Sequence, residues 1–230
     1  MPIDMPDPRS DLEKIPWLNA LEPPGWEALL ADTRLHQYSG GEVVFLEGDA
    51  AARLFVVHQG WAKAVKLSVD GREQILDFIG PGQPVNIAPI FAEHPNPATL
   101  IAQESCQMWS ISRHTLLALL DQYPAMNRLV IKSLAGRLLH AVALVEDLSL
   151  RSVTARLAKL LLIQAQQTGQ GAIIRRRWAT QAEIAARLGT VPDVISRALR
   201  SLADEGLIEI SRRQIAILDE AGLKDLVELE

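Results

Sequence analysis

The chain has 230 residues, enough for one large domain or two smaller ones, and its 48% hydrophobic and 22% charged content is ordinary for a globular protein. No apolar run approaches the roughly 20 residues needed to span a bilayer, and the acidic, proline-rich start Met-Pro-Ile-Asp-Met-Pro-Asp-Pro reads as a mobile arm rather than a signal peptide. The single cysteine, Cys106, excludes an internal disulfide and any site built on several cysteines, and points to a reducing cytoplasm; with no spanning run, no membrane partner is expected.

After the arm, Leu12 to Leu35 reads as helical, broken at Pro16 and at Pro23-Pro24. Short strands between glycine turns come next. Val43 to Leu46 lies between Gly40-Gly41 and Gly48. Leu54 to Val57 ends at Gly60, and Trp61 to Val69 leads into the hairpin turn Asp70-Gly71. Gln74 to Ile79, Ala98 to Ala102 and Gln107 to Ile111 complete the set. Strands this short and evenly spaced predict an antiparallel sandwich or barrel.

From Pro124 the period lengthens. Ile131, Leu134, Leu138, Ala141, Val145 and Leu148 step by three and four, the a/d seam of about three heptads. Val130, Leu139, Val142 and Leu144 give the same helix a second apolar surface. That second surface is expected to pack on the β domain, leaving the seam for a partner helix; the other reading is a helix buried on all sides in its own domain. Val153 to Gln166 reads as a further amphipathic helix, with Val153, Leu157, Leu160 and Leu161 inward. The loop Thr168 to Gly171 and a short strand carrying Arg175-Arg176-Arg177 come next; the three arginines are either phosphate contacts or a solvated edge.

Thr180 to Glu205 reads as two short helices around a tight turn. Thr180 and Glu183 have capping-box spacing. Ile184, Ala185 and Leu188 form one apolar face, and Gly189 stops the helix by taking positive φ without steric cost. Thr190 or Val191 opens the second helix, with Pro192 in its first turn. Ile195, Ala198, Leu199 and Leu202 are spaced to face inward, whereas Asp193, Ser196, Arg197 and Arg200 fall together on the outside. That outer row can bond to base edges and phosphates. An ordinary helical hairpin with a solvated face would look similar. The next fourteen or so residues favour helix-turn-helix. Leu207 to Ile210 and Gln214 to Leu218 flank Ser211-Arg212-Arg213, a hairpin with a basic tip, as in a winged helix.

Net charge is −5, but it is unevenly spread. Residues 1–150 hold 11 Lys/Arg against 18 Asp/Glu, and residues 151–218 hold 11 against 5. The basic residues gather around the helix-turn-helix, as double-stranded DNA binding requires.

The pattern Gly41-Glu42-x-x-Phe45-x-x-Gly48-Asp49, then Leu54-Phe55-Val56 and Gly60, resembles the cyclic-nucleotide-binding β-roll. With the long helix and the Thr180–Arg200 motif, the chain resembles the Crp/Fnr family of bacterial transcription regulators over roughly residues 12–218. The resemblance implies an α+β fold in three parts. Residues 1–123 would be the arm and a jelly-roll-like antiparallel sensor, 124–150 a dimerisation helix, and 151–230 a winged helix-turn-helix. It further implies a homodimer on a palindromic operator, with RNA polymerase as a candidate partner. A dimer would set two recognition helices about one DNA turn apart, ~34 Å.

Transferred residue by residue, Arg197 matches the arginine expected on guanine O6 and N7, and Ser196 matches one branch of the family. Asp193 stands where the family has a longer glutamate, and Pro192 replaces a base-reading side chain. Thr180 and Gln181 match backbone-holding positions; Arg200 and Arg212 join them as candidate DNA contacts. The sensor departs further. Where the family's cassette has a glutamate for the ribose and an arginine for the cyclic phosphate, this chain has Asn86-Ile87-Ala88 and Pro97-Ala98, and the base-binding hydroxyl pair falls on Ala141-Val142. Cyclic AMP is therefore not the expected effector.

The family also includes haem and iron–sulfur sensors. A [4Fe–4S] cluster on four cysteines is excluded by count. Haem stays open through axial histidines, with His94 and His140 as the candidates; an aromatic or fatty acid is the other expectation. No nucleotide-binding P-loop, nucleophile elbow, zinc-protease or dinucleotide fingerprint is present, so neither catalytic nor metal-ligating residues are expected. A small-molecule-binding module with a degenerate DNA reader is the alternative, and Arg197 with the basic 151–218 segment argues against it.

Overall fold

The computed structural model describes residues 6–68, 73–168, 172–174, 180–211 and 214–229; for 140, 144, 148, 167, 168, 172–174 and 229 it describes the backbone alone. It forms two compact units, Met1–Leu138 and Leu139–Glu230, the division falling within the long helix.

The first unit begins with α1 (Arg9–Leu12), a 3-10 turn at Leu18–Ala20 and α2 (Pro23–Asp32). Pro23 and Pro24 start α2 rather than interrupt a helix, because a missing N–H costs nothing in a first turn. The strands follow: β1 (Arg34–Tyr38), β2 (Val43–Phe45), β3 (Arg53–Gln59), β4 (Ala62–Leu67), β5 (Glu73–Ile79), β6 (Pro84–Val85), and, after the short α3 (Ile87–Phe91), β7 (Thr99–Ala102) and β8 (Cys106–Ser112). They build two four-stranded antiparallel sheets ordered β1-β8-β3-β6 and β2-β7-β4-β5. The Asp70-Gly71 turn between β4 and β5 lies outside the described residues.

Side-chain alternation on β3 and β8 separates two cores. Phe55, Val57, Cys106 and Met108 point between the sheets, against Ala62, Ile79, Leu100 and Ala102. Leu54, Val56, Trp109 and Ile111 point outward, where Leu12, Leu18, Leu29, Leu116 of α4 (Arg113–Gln122) and Met126 and Val130 of α5 (Pro124–Leu150) cover them. Between the sheets, burial pushes the Cys106 thiol up to about 11, with Glu104 adding to the effect.

Asp11 pins α1 onto this outer face. Its carboxylate is 3% exposed and accepts from Lys14 Nζ at 2.8 Å, His58 Nδ1 at 2.6 Å and Trp109 Nε1 at 3.0 Å. Burial alone would raise its pKa; the hydrogen bonds from Lys14, His58 and Trp109 outweigh burial and hold it below the usual carboxylate range.

The second unit contains the end of α5 and α6 (Val153–Thr168), β9 (Ala172–Ile174), α7 (Gln181–Arg187), α8 (Pro192–Asp204), β10 (Ile208–Ile210), β11 (Gln214–Ile217) and α9 (Glu220–Leu229). Its core joins Leu157 and Leu161, Ala185, Ile195, Leu199 and Leu202, Ile208, Ile215 and Leu223. The hairpin β10–β11 gains β9 as a third antiparallel strand. Within this unit Asp147, 9% exposed, accepts from Arg151 Nε at 2.9 Å and from Lys159 Nζ at 2.5 Å, and Arg151 Nη1 donates to Val227 O on α9.

Candidate nucleic-acid interface and effector pocket

The reading head is built from local signals. Thr180 Oγ1 accepts from Glu183 N at 3.3 Å while Glu183 Oε2 accepts from Thr180 N at 3.2 Å, completing the capping box of α7. Gly189 takes φ +64° at the turn. Val191 is the N-cap of α8, without a side-chain cap bond, and Pro192 occupies the first turn. Ile195, Ala198, Leu199 and Leu202 are buried, which forces the opposite face of α8 outward.

On that face Asp193, Arg197 and Arg200 are exposed and Ser196 is half-buried. Arg197 Nε donates to Asp193 O at 3.4 Å; Arg200 donates to Ser196 through Nε to the carbonyl at 3.3 Å and through Nη2 to Oγ at 3.1 Å. Both guanidiniums thus lie along the helix surface with further donors to offer. Thr180 is exposed and Gln181 half-buried at the N-terminus of α7. Arg212 and Arg175, Arg176 and Arg177 lie outside the described residues. A short strand is described at Ala172–Ile174, just before these arginines in the sequence.

Arg156 belongs to the same structure, and nothing in its sequence surroundings marks it. Its Nη1 donates to Leu188 O at 2.7 Å, so α6 satisfies the carbonyl that ends α7 and braces the turn. The contact spans 32 residues and has no local sequence signature.

Along α5, Ile131 and Leu138 are each 66% exposed and Val145 is 63% exposed, with Ala141 exposed as well. Leu134 instead packs against the first unit's core beside Val130. Leu139 and Val142 are 70% and 56% exposed. The apolar positions of this helix are so numerous that spacing gives the period without fixing the phase. The side chains of Leu148, Leu144 and His140 lie outside the described residues.

The cassette positions have become framework. Ile87 is buried in the outer core of the sandwich, and Asn86 adopts φ +78° with its Nδ2 donating to Arg53 O at 3.2 Å. Pro97 is exposed and Ala98 buried. His94 is exposed, with Nδ1 2.7 Å from Pro95 O. Arg113 Nε donates to Ile90 O at 3.0 Å and its Nη2 to Glu93 Oε1 at 2.6 Å. Among the described residues no group of histidine, cysteine and acidic side chains could hold a metal ion, and no helix is long and apolar enough to cross a membrane. A cavity of about 430 Å³ opens elsewhere in the first unit, between the Lys14–Trp17 segment, β5, the Gly82–Val85 turn and the first half of α5.

Comparison with known proteins accords with this geometry. Residues 35–123 match the cyclic nucleotide-binding domain and residues 155–226 the Crp-like helix-turn-helix domain. The chain is 30% identical over 220 residues to the probable transcriptional regulator Flp of Lacticaseibacillus casei, covering 92% of this chain and 95% of that one. It is 28% identical over 206 residues, 88% of this chain and 92% of the relative, to a CRP-like cAMP-activated global transcriptional regulator of Mycobacterium tuberculosis. The solved structure of FixK2 from Bradyrhizobium japonicum shares the fold with a TM-score of 0.75 at 23% identity, over 84% of this chain and 96% of that one. A β-roll followed by a winged reader, matched in both parts and along almost the whole chain, makes this protein a member of the Crp/Fnr family of bacterial DNA-binding transcription regulators, which are not enzymes.

Proposed function

We propose that this protein acts in the cytoplasm as a homodimer on a palindromic operator, and that its β-roll senses a small effector other than cyclic AMP. One observation carries the reading: α8 buries one face completely and presents Asp193, Ser196, Arg197 and Arg200 on the other. Such a row can enter a major groove, with Arg197 on a guanine edge. The exposed Ile131, Leu138 and Val145 offer a seam for a second copy, since large apolar side chains at heptad spacing do not stay in water when a partner helix can cover them. Against cyclic AMP stands the chemistry of the cassette. A buried cyclic phosphate needs a paired cation; Pro97 supplies none, and Ile87 has no group for a ribose hydroxyl.

Electrophoretic shift with genomic fragments, followed by footprinting, tests the reader: protection of an inverted repeat supports it, and binding without sequence preference contradicts it. A second reading, a cyclic-nucleotide-responsive regulator with a divergent pocket, draws on the cAMP-activated M. tuberculosis relative. Calorimetric titration with cyclic AMP and cyclic GMP separates the two, because low-micromolar binding would favour the second.

A further inference from the structure

We propose that the 430 Å³ cavity of the first unit is a binding site for an organic monocarboxylate with an apolar body, and that this anion is the effector. The inference rests on the reading of this unit as a small-molecule sensor. The volume is in the range of small-ligand sites, ~300–1,000 Å³. Its accessible apolar wall is made by the half-buried Ala64 and Val85, backed by the buried Ile15, Trp17 and Ile79. Its rim carries two cations brought together from distant parts of the chain: Lys14, already paired with the buried Asp11 carboxylate, and Arg137, which lies across the rim from Asp77.

Both cations are held in place with donors to offer. Lys14 Nζ donates to Asp11 Oδ1 at 2.8 Å. Its stem lies against Gly82, where φ is +77° and an added Cβ would come within 2.7 Å of Lys14 Cδ. Gly82 thus provides both the turn and the room for the lysine. Arg137 Nη2 donates to Pro84 O at 3.1 Å, which leaves most of an exposed guanidinium facing the rim. Gln83 uses Oε1 to accept from Gly80 N at 2.7 Å, so its amide nitrogen is the end that can donate.

A ligand matching this arrangement has one anionic end and an apolar remainder. A planar carboxylate suits the forked guanidinium. A nucleotide is a poorer match, because ribose hydroxyls and base edges need several polar partners, and apart from the charged groups only Gln83 and Ser133 line the cavity with polar side chains. The position also gives the ligand leverage. Arg137 joins α5 to the Gly82–Val85 turn through Pro84 O, so an anion that draws the guanidinium away alters the tie between helix and β-roll.

The test is calorimetric titration of the full chain with 3-phenylpropanoate and decanoate, beside the neutral 3-phenylpropanamide, phenylalanine and cyclic AMP. The expected result is one carboxylate per chain, with the amide weaker by about 10- to 100-fold, the scale of a charge-assisted hydrogen bond. Arg137→Gln should lower carboxylate affinity by a similar factor while the melting temperature falls only slightly, since the one bond lost, to Pro84 O, is exposed. Silence with both carboxylates, equal binding of the amide, a preference for phenylalanine, or cyclic AMP binding that Arg137→Gln abolishes would each overturn the assignment. An operator-shift assay on the same preparation keeps the two ideas apart. Specific DNA binding with silent titrations rejects the carboxylate site alone, whereas absence of specific DNA binding rejects the regulator reading.

Discussion

Replacing Arg197 by alanine removes a guanidinium from an exposed helical face and opens no cavity, so folding should be untouched. Loss of a bidentate guanine contact should weaken operator binding by about 1–3 kcal/mol per half-site and leave affinity for scrambled DNA nearly unchanged. Competition shift assays measure this; retained discrimination would remove Arg197 from the base-reading role. Asp11 is the opposite kind of residue, buried and fully engaged. Asp11→Ala should destabilise the first unit by about 1–3 kcal/mol, because His58, Lys14 and Trp109 lose their common acceptor. Its pKa is lowered in the fold, so its contribution is present above the unfolded carboxylate value, near 3.9, and is lost as pH falls through the lower folded value. Melting curves of the wild type should therefore drop more steeply than those of Asp11→Ala below about pH 4. Parallel curves would show that the network carries no linked proton.

Among the elements, the capping box of α7 and the apolar stripe of α5 make separable predictions. Thr180→Ala should cost about 1 kcal/mol through the lost bond to Glu183 N, read as earlier urea unfolding of the second unit. Leu138→Glu would set two like charges face to face in the proposed seam, and light scattering should then report a monomer; an intact dimer would place the interface elsewhere. Legibility in the sequence tracks the range of the interactions. The reading head is legible because its determinants are local: Thr180 to Glu183 is three residues, Gly189 marks the turn, and the buried face of α8 repeats every three or four. The strands β3, β4, β5, β7 and β8 are legible from alternation and glycine turns. Strand β1 is not: its first residues read as the end of a helix, and Arg34–Tyr38 is made a strand by pairing with Cys106–Ser110, about seventy residues away. Strand β9 depends in the same way on β11, and the cavity depends on segments as distant as Lys14–Trp17 and Ser133–Arg137 lining one space. Leu134, read as a seam position, packs against the first unit's core because heptad spacing does not say which apolar face meets that core.

Across the whole molecule, charge is partitioned by task. The acidic excess of residues 1–150 and the basic excess of residues 151–218 nearly cancel, so the pI of about 5.6 hides a DNA-facing segment. Affinity should fall steeply with salt, and the slope of log K against log salt should decrease by about one for each phosphate contact removed, for example in Arg200→Ala. An unchanged slope would place Arg200 away from the backbone.

Cys106, the chain's one thiol, lies fully buried between the sheets with its pKa near 11. At neutral pH only about one molecule in ten thousand would carry the thiolate, the form that reacts. The native chain is therefore ready for site-specific labelling as it stands. A cysteine placed on an exposed position of α8 or α5 would be the sole reactive handle, and a fluorophore or spin label attached there could follow the reading head or the helix without first mutating the core.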